Sequence, residues 1–333
     1  MRKIIIFEYL TSQSQEKQSF QKRIFKEGLK MSNEISLNII KSSVKNKVLI
    51  LRSKYLIEDK ILRKKSIKLL KISTKNTWSD LLKKQNKQNT SILLIAPEID
   101  NIYYIIAKKI VKMGFRLLNS DLNSIRIFSS KKLTYDYLLN KKIKCINTQT
   151  SVHQIKNKKR SYVIKPEKSA GSENVLIAKT FEDLKNLESI IKKKYVIQIY
   201  DKNLVGSIII ICKNGKSNLI SCNKHIIEVK NKKIKQIGTI IGGLEKFRSQ
   251  LDIISKNISQ SFQGLFGYVG IDLILTPKSY KVIELNTRFT SSVLGLRNAY
   301  GKEIIDYISD FYIKDIFEED KQIKLLKKVK VIF

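Results

Sequence analysis

Short runs of β-branched and aromatic residues recur along the chain, separated by polar, lysine-rich stretches. Runs of this length and composition predict buried β-strands. The predicted strands are Lys3–Tyr9, Val48–Leu51, Ile92–Ala96, Tyr162–Lys165, Val175–Ala178, Tyr195–Tyr200, Ser207–Cys212, Tyr268–Leu275 and Lys281–Leu285. Three stretches between them, residues 101–113, 181–191 and 251–262, repeat their apolar positions with helical spacing and predict amphipathic helices.

The order of these elements changes along the chain. Over the first 120 residues strands alternate with helices, as in a doubly wound α/β domain. From residue 160 onward strands follow one another more directly. Asn214-Gly215, between two apolar runs, predicts a tight hairpin because a type I′ turn needs positive φ at both central positions. We therefore predict an α/β part followed by a largely antiparallel α+β part, with boundaries near residues 120 and 190.

The 333 residues include 65 Lys and Arg against 29 Asp and Glu, which gives a formal net charge of +36. A charge of this size is typical of nucleic-acid-binding proteins. Only ten of the basic residues are Arg, however, and Ile and Asn are frequent as well. An AT-rich coding sequence produces this joint excess of Lys, Ile and Asn without selection for a polyanionic partner. Nucleic-acid binding is therefore kept as the alternative hypothesis.

Cysteines and histidines are too few and too scattered for the common metal and disulfide frameworks. Cys145, Cys212 and Cys222 form no CxxC pair, and the histidines are His153 and His225. A His/Cys zinc site and disulfides are not expected, and the free thiols favour a reducing, cytoplasmic location. The apolar run at the amino terminus is too short for a signal peptide, and no apolar run is long enough to span a membrane.

A strand that ends in Lys165-Pro166 is followed by a loop of small residues, Ser169-Ala170-Gly171-Ser172, before the next predicted strand. Small residues let backbone N–H groups approach an anion closely, and a lysine at a strand end supplies a point charge for phosphate. The segment therefore predicts a phosphate-binding loop. An ordinary β-turn with a surface lysine is the alternative that this pattern leaves open.

Acidic residues interrupt two apolar runs in the last quarter of the chain. Asp272 lies within one predicted strand and Glu284 within the next, which continues to Asn286 and Arg288. Strand alternation places the last three on one face, and Asp272 faces them if the two strands pair. Two carboxylates and an amide oxygen suit Mg²⁺ or Mn²⁺, and the arginine suits the charge on a transferring phosphoryl group. The alternative is an ion pair between Glu284 and Arg288.

These motifs, in this order, resemble the ATP-grasp superfamily. Lys132, in Ser129-Ser130-Lys131-Lys132-Leu133, matches the first nucleotide lysine, and Arg288 matches the arginine of a Glu-x-Asn-Pro-Arg signature. The ATP-binding residues that the resemblance implies are Lys132, Lys165, Ser169, Ala170, Gly171, Ser172 and Gln198. The implied metal ligands are Asp272, Glu284 and Asn286. The implied catalytic residues are Arg288 and Lys165.

The resemblance covers nearly the whole chain, residues 1–310, and narrows to one subgroup of carboxylate–amine ligases. The matching segments include Ile6–Tyr9, Ile95–Asp100, Ser221–His225, Ile241–Gly243 and Thr290–Arg297. This subgroup includes the tyramine–glutamate ligases of methanofuran biosynthesis. Four positions depart from the family pattern: Lys131 stands for Asp, Ser169 for Gly, Thr287 for Pro and His225 for Gln. The last departure leaves the substrate open.

The resemblance implies an ATP-dependent carbon–nitrogen ligase. A carboxylate, glutamate in this subgroup, would attack the γ-phosphorus of ATP to give an acylphosphate, from which an amine, tyramine in this subgroup, would form the amide. The implied substrate residues are Arg297, as a cation for glutamate, together with His225 and Glu98. Glu98 could instead cap the helix that follows it. The alternatives are ligases for other amino acids and ligases that extend a chain of glutamates.

The implied architecture combines α/β and α+β structure. A Rossmann-like domain, residues 1–120, precedes a two-lobed ATP-grasp fold with a small lobe at 121–190, a large lobe with the metal site at 191–315, and a basic tail at 316–333. The implied cofactors are ATP and Mg²⁺ or Mn²⁺. The partners are small-molecule substrates, with no specific nucleic acid and no membrane, and a homodimer is allowed.

Overall fold

The amino-terminal part of the chain forms a parallel sheet. The computed structural model describes residues 2–13, 22–39, 46–56, 67–191, 194–276 and 279–333. The first sheet contains β1 (Arg2–Glu8), β2 (Asn46–Ser53), β3 (Lys68–Ile72), β4 (Thr90–Ile95) and β5 (Arg116–Leu117), in the order β3-β2-β1-β4-β5 with all neighbours parallel. The helices of this part are α1 (Lys22–Glu34), α2 (Trp78–Lys83) and α3 (Ile102–Lys112). The predicted doubly wound unit is confirmed.

The second sheet is antiparallel and has ten strands within the described ranges. They are β6 (Thr148–Gln149), β7 (Tyr162–Pro166), β8 (Leu176–Ala178), β9 (Tyr195–Ile199), β10 (Leu204–Lys213), β11 (Lys216–Lys230), β12 (Lys233–Ile241), β13 (Gly267–Thr276), β14 (Ser279–Asn286) and β15 (Val329–Ile332). Their order is β14-β13-β10-β11-β12-β8-β7-β9-β6, and β15 pairs with β12. The accompanying helices are α4 (Leu122–Phe128), α5 (Lys131–Asn140), α6 (Phe181–Ile190), α7 (Arg248–Ser261), α8 (Val293–Tyr300) and α9 (Lys302–Lys314). None of the helices in the described ranges has the length and hydrophobicity that a bilayer crossing requires.

The hairpin between β10 and β11 has the turn that the sequence predicts. Asn214 and Gly215 have φ values of 52° and 76°, as a type I′ turn requires. β12 and β15 are among the strands that the pattern does not predict. In β12 lysines interrupt the apolar positions, and β15 lies within the segment predicted as a basic tail.

The side chains of β1 explain why the strands of the first sheet are apolar throughout. Ile5 and Phe7 enter a core that contains residues of α3, whereas Ile4 and Ile6 enter a second core that contains residues of α8 and α9. A parallel strand that is buried on both faces needs a continuous apolar run. The second of these cores packs the parallel sheet against the carboxyl-terminal helices.

The segment predicted as the small lobe, residues 121–190, contributes to three different cores. Ile125 of α4 belongs to a core of the parallel sheet. Leu138 of α5 belongs to the same core as Ile208 and Ile210 of β10. β7, β8, α6 and β9 enclose a separate core around Tyr162. The helix α5 is therefore packed on the large end of the antiparallel sheet, and α4 contacts the cores of both sheets.

The two ends of the antiparallel sheet meet at a narrow joint. β8 pairs with β12 at one position only, Leu176 with Lys233. The neighbouring backbone hydrogen bonds run from the Ile177 N–H to the Lys232 carbonyl, at 2.7 Å, and from the Ile234 N–H to the Val175 carbonyl, at 2.9 Å. The sheet is thus continuous at this point through very few backbone contacts.

Candidate active site

A cleft of about 870 Å³ lies between the two sheets. One wall contains Glu8 and Ala96, at the carboxyl ends of β1 and β4, together with the start of α1. The other wall contains residues of β7, of strands β9–β14 and of the loop after β7. The carboxyl ends of parallel strands are the usual ligand-binding edge of an open α/β sheet. All the predicted site residues line this cleft except Lys132, Glu98 and Arg297.

Two carboxylates of the cleft are in contact. Asp272 of β13 lies opposite Glu284 of β14, and the two carboxyl groups share a hydrogen bond. Burial and the charge of Glu284 raise the pKa of Asp272 well above its ordinary value. Burial also acts to raise the pKa of Glu284, but Lys131 and Lys165 outweigh it and hold that pKa below its ordinary value. Glu284 is therefore the more acidic member of the pair and Asp272 the less acidic one.

Lys165 lies near the end of β7, with its side chain buried beside the carboxylate pair. Burial lowers the pKa of its ammonium group to about 8, although the charges of Glu284 and Asp272 oppose the shift. β7 places the Lys165 ammonium group in the cleft, where it forms no ion pair within the described ranges. A buried ammonium group without an ion-pair partner favours the binding of an anion.

Lys131 is a second buried ammonium group in the cleft. It is the first residue of α5 and follows the N-cap residue, Ser130. The Ser130 Oγ accepts a hydrogen bond from the Leu133 N–H at 3.1 Å. The Lys131 Nζ lies 3.1 Å from the Ser169 Oγ and 3.9 Å from the Glu284 Oε2. It therefore connects the loop after β7 with the ionised carboxylate.

The donor set around the carboxylate pair fits a divalent cation. Two ionised carboxylates in contact repel each other, and a hard cation removes that repulsion. Within the described ranges no group of three or more His, Cys, Asp and Glu is arranged to hold a metal, so the amide oxygen of Asn286 is needed beside Asp272 and Glu284. Ser207, opposite Asp272 on β10, has a buried hydroxyl for which the described residues supply no hydrogen-bond partner. This is one more oxygen that a bound group could contact.

The loop after β7 reaches across the cleft to the amino-terminal part of the chain. Gly171 and Ser172 have φ values of 70° and 58°, in the left-handed region. The Gly171 carbonyl accepts a hydrogen bond from the Arg23 Nη2 of α1 at 2.8 Å, and the Lys168 Nζ donates to the Asn101 Oδ1 at 2.7 Å. The loop is thus held over the cleft from the opposite wall.

Gln198 lies on β9 at the other end of the cleft. Its side chain is buried, and its Nε2 donates to the Thr148 Oγ1 at 2.9 Å. Val163, Ile274 and Ile283 line the same cleft. Apolar walls with a few fixed polar groups suit a planar heterocycle.

Arg288 forms a bidentate ion pair with Glu98 and not with Glu284. Its Nε and Nη2 lie 2.8 and 2.7 Å from the two carboxylate oxygens, and the side chains are only 12% and 7% exposed. Glu98 makes no capping hydrogen bond to the short helix that follows it, so its partner is the arginine. The pair joins the loop after β4 to the segment after β14 with fixed geometry.

His225 of β11 lies beside the carboxyl group of Asp272. Its Nε2 is 3.7 Å from the Asp272 Oδ1. Burial lowers the pKa of the imidazole to about 4, although the charge of Glu284 acts in the opposite direction. At neutral pH His225 is therefore uncharged and can only donate or accept a hydrogen bond.

A family comparison identifies the part of the chain that carries this geometry. Residues 128–292 match the model of the ATP-grasp domain. The matched range contains the two buried lysines, the loop after β7, the carboxylate pair and Arg288. The chain contains an ATP-grasp domain.

Curated relatives of this chain include two tyramine–L-glutamate ligases. The one from Methanocaldococcus jannaschii is 25% identical over 298 residues, which cover 88% of this chain and 84% of the relative. The one from Methanocaldococcus fervens is 27% identical over 227 residues, which cover 66% and 65%. Together with the family match they give the enzyme class, an ATP-dependent carbon–nitrogen ligase, as the sequence predicts.

Solved structures confirm the ATP-grasp fold. An ATP-grasp superfamily protein from Archaeoglobus fulgidus has a TM-score of 0.69 at 19% identity and covers 93% of this chain and 88% of its own. N5-carboxyaminoimidazole synthetase from Staphylococcus aureus, in complex with ADP, has a TM-score of 0.67 at 13% identity and covers 98% and 80%. L-amino acid ligase from Bacillus licheniformis has a TM-score of 0.59 at 10% identity and covers 93% and 74%. These likenesses concern the fold.

The ATP-grasp domain brings Lys131 into the cleft and leaves Lys132 outside its lining. The Lys132 Nζ lies 2.5 Å from the Asp136 Oδ1, one turn further along α5. Successive helical residues point about 100° apart, so only one of two adjacent lysines can face the cleft. The pair of lysines in the sequence does not fix this choice, whereas the position of the Ser130 cap does.

Arg297 does not reach the cleft either. It lies on the exposed side of α8. Two charged residues of α1, Arg23 and Glu27, do line the cleft and are absent from the sequence-based set. Nothing in the sequence of α1 departs from an ordinary amphipathic helix, so only the tertiary structure reveals them.

Proposed function

We propose that the protein joins the carboxylate of L-glutamate to the amine of tyramine, through an acylphosphate, with release of ADP and phosphate. The observation that carries the proposal is the grouping of two buried lysines, two contacting carboxylates and an arginine in one cleft of an ATP-grasp protein. The names of the two curated relatives support the choice of substrates.

In this proposal the phosphates of ATP lie against Lys165 and Lys131, beneath the loop Ser169–Ser172. The Lys165 ammonium group has no ion-pair partner among the described residues, and the Lys131 ammonium group is hydrogen-bonded to Ser169 of the loop. Adenine lies near Gln198, among the apolar side chains of that end. Lys132 keeps the role of the first nucleotide lysine only if α5 turns on binding, because its amine faces Asp136.

Asp272, Glu284 and Asn286 are the residues that would hold Mg²⁺ or Mn²⁺. Such a cation supplies positive charge to phosphate oxygens when it is bound. Asp272, whose pKa is raised, would have to be deprotonated to act as a ligand.

The carboxylate oxygen of glutamate attacks the γ-phosphorus of ATP, the bond to the β-phosphate oxygen breaks, and ADP leaves. Arg288 stabilises the charge of the transferring group. Glu98 and the Phe289 carbonyl take three of its five N–H donors, which leaves two for the phosphoryl oxygens.

The amine nitrogen then attacks the acyl carbon, phosphate leaves with the electrons of the C–O bond, and the nitrogen loses a proton. The acylphosphate would hydrolyse in contact with water. The contacts of the Ser169–Ser172 loop with Arg23, and of Lys168 with Asn101, give the loop the means to exclude water during this step.

An ADP-release assay over pairs of carboxylates and amines tests the proposal. We expect ADP and amide in equal amounts with glutamate and tyramine, and little ADP when either is left out. If amide forms instead from other pairs of amino acids, or from glutamate added to a glutamate chain, the proposed substrates are wrong and the proposed chemistry is kept. Tight, salt-sensitive binding of RNA or DNA without ADP release from any pair would contradict the proposal.

A further inference from the structure

The wall of the cleft opposite the carboxylate pair of the antiparallel sheet is formed by β1 and α1. We call it the α1 end. The residues that define it are Glu8, Leu10, Arg23, Glu27, Gly28 and Met31, which all line the cleft. Neither the proposed ATP site nor the proposed metal site uses Glu8.

Glu8 is a buried carboxylate held in one orientation. It is only 2% exposed, and its two oxygens accept hydrogen bonds from the Leu10 N–H at 3.2 Å and the Thr11 N–H at 2.7 Å. A Cβ atom on Gly28 would lie 2.6 Å from the Glu8 Oε1. The absence of a side chain at position 28 therefore gives the carboxylate its place between β1 and α1.

The charges of the α1 end balance except at Glu8. Arg23 pairs with Glu27 at 3.1 Å, and the Glu27 carboxylate also accepts a hydrogen bond from the Ser291 hydroxyl. In the described part of the chain no basic group lies within ion-pair distance of Glu8. The charge of the Arg52 guanidinium acts on Glu8, but this guanidinium is hydrogen-bonded to the side chains of Ser32 and Asn33.

Burial of an unpaired carboxylate is unfavourable, and here it raises the pKa of Glu8 above the ordinary value. A cationic ligand group beside Glu8 would remove this cost. The neighbouring lining of Leu10, Met31 and Ile95 is apolar and nearly fully buried. The combination of a carboxyl group that has no ion-pair partner among the described residues with apolar walls suits an ammonium group on an apolar body.

We propose that Glu8 binds the ammonium group of a primary-amine substrate, and that Leu10 and Met31 contact the apolar part of that substrate. The inference rests on the proposed ligase function, which supplies two substrates with an ammonium group, the amine and the amino acid. The apolar walls favour the amine. Gly28 is the residue that makes room for this arrangement.

The first test is equilibrium binding, which needs no turnover. Tyramine is compared with tyrosol, the uncharged alcohol of the same shape, on the full chain and on Glu8→Gln, which keeps an acceptor for the Thr11 N–H. We expect the variant to bind tyramine roughly tenfold more weakly, because a charged partner is lost, and tyrosol equally. Equal binding of tyramine by both proteins, with unchanged thermal midpoints, would overturn the proposal.

The second test separates the two sources of the ammonium group. In steady-state assays of Glu8→Gln, a raised KM for tyramine with an unchanged KM for glutamate assigns Glu8 to the amine, and the reverse assigns it to the amino acid. Either result supports an ammonium site, whereas no change in either KM contradicts it. If the wild-type protein makes no amide from any pair, the proposed function fails, and the binding comparison still decides the role of Glu8.

A second variant keeps the charge and moves it. Gly28→Ala pushes the Glu8 carboxylate from its place, so we expect the same direction of effect on tyramine binding as for Glu8→Gln. Lys26→Ala, on the exposed side of the same helix, is the matched control and should bind tyramine as the wild type does. Weakened binding in Lys26→Ala but not in Gly28→Ala would contradict the assignment.

Discussion

The two charged ends of the cleft are built in different ways. At the phosphate end, Asp272 and Glu284 lie on neighbouring strands, and the lysines that face them come from β7 and from the start of α5. At the α1 end and its boundary, contacts join distant parts of the chain. Ser291 lies 264 residues from Glu27, to which it is hydrogen-bonded, and Arg288 at the boundary lies 190 residues from Glu98.

The difference has a physical consequence for what each end can bind. At the phosphate end two ammonium groups face two carboxyl groups whose pKa values are shifted in opposite directions, so the local charge can adjust to a polyphosphate and a cation that arrive together. At the α1 end the cations are already paired and one carboxylate is not. That end is suited to a single positive group.

Removal of a carboxylate at the phosphate end is expected to have the largest effect. Asp272→Ala or Glu284→Ala should lower the rate of ADP formation with Mg²⁺ by at least about a hundredfold, because the cation that stabilises the transferring phosphoryl group loses a negatively charged ligand. Circular dichroism spectra should show that both variants are folded. Near-normal turnover in either variant would show that the metal ligands lie elsewhere.

The bidentate pair at the boundary between the two ends comes next. Glu98→Gln leaves the buried Arg288 without a charged partner, so we expect the free energy of unfolding to fall by about 3 kcal/mol. A guanidinium that is no longer fixed should lower kcat by roughly tenfold to a hundredfold while the KM for ATP stays near its wild-type value. Denaturant unfolding and steady-state kinetics measure the two effects. A change confined to stability would limit Glu98 to a structural role.

The two adjacent lysines of α5 give a sharper contrast of moderate size. Lys131→Ala removes the ammonium group that faces Ser169 and Glu284 and should raise the KM for ATP by about tenfold, as the loss of a charged hydrogen bond does. Lys132→Ala removes an exposed pair with Asp136 and should change that KM by less than about twofold. If Lys132→Ala has the larger effect, the sequence-based assignment of Lys132 is right.

The smallest expected effect is a pH dependence at Lys165. Its pKa of about 8 means that the ammonium form is present below that pH and is lost as pH rises through it. In EDTA, ATP should therefore bind more weakly at pH 9 than at pH 7, by a few fold. Lys165→Arg keeps its charge over this range and should bind ATP with little dependence on pH. An equal pH dependence in both proteins would assign it to another group.

The same contrast between the two ends sets how much the sequence could predict. Alternation along two apolar strands was enough to bring Asp272 and Glu284 together, and the hairpin at Asn214-Gly215 followed from backbone conformation. The doubly wound amino-terminal unit followed from the alternation of strands and helices, and the ATP-grasp assignment followed from the motifs.

The missed features depend on geometry that the local pattern does not contain. The choice between Lys131 and Lys132 depends on the phase of a helix. The partner of Glu98 depends on how the loop after β4 meets the segment after β14. The exposure of Arg297 depends on which face of α8 packs on the sheet, and the apolar pattern of the sequence alone left that face undecided.

The narrow joint between β8 and β12 gives the protein a built-in reporter. The amide protons of Ile177 and Ile234 are held by the two hydrogen bonds beside the single strand pair, while those of β10 and β13 lie deep in a long ladder. Their exchange with deuterium should therefore be limited by separation of the two ends of the sheet, not by global unfolding. The exchange half-life of those two amide protons, with and without ATP, measures how readily the small end of the sheet separates from the large end.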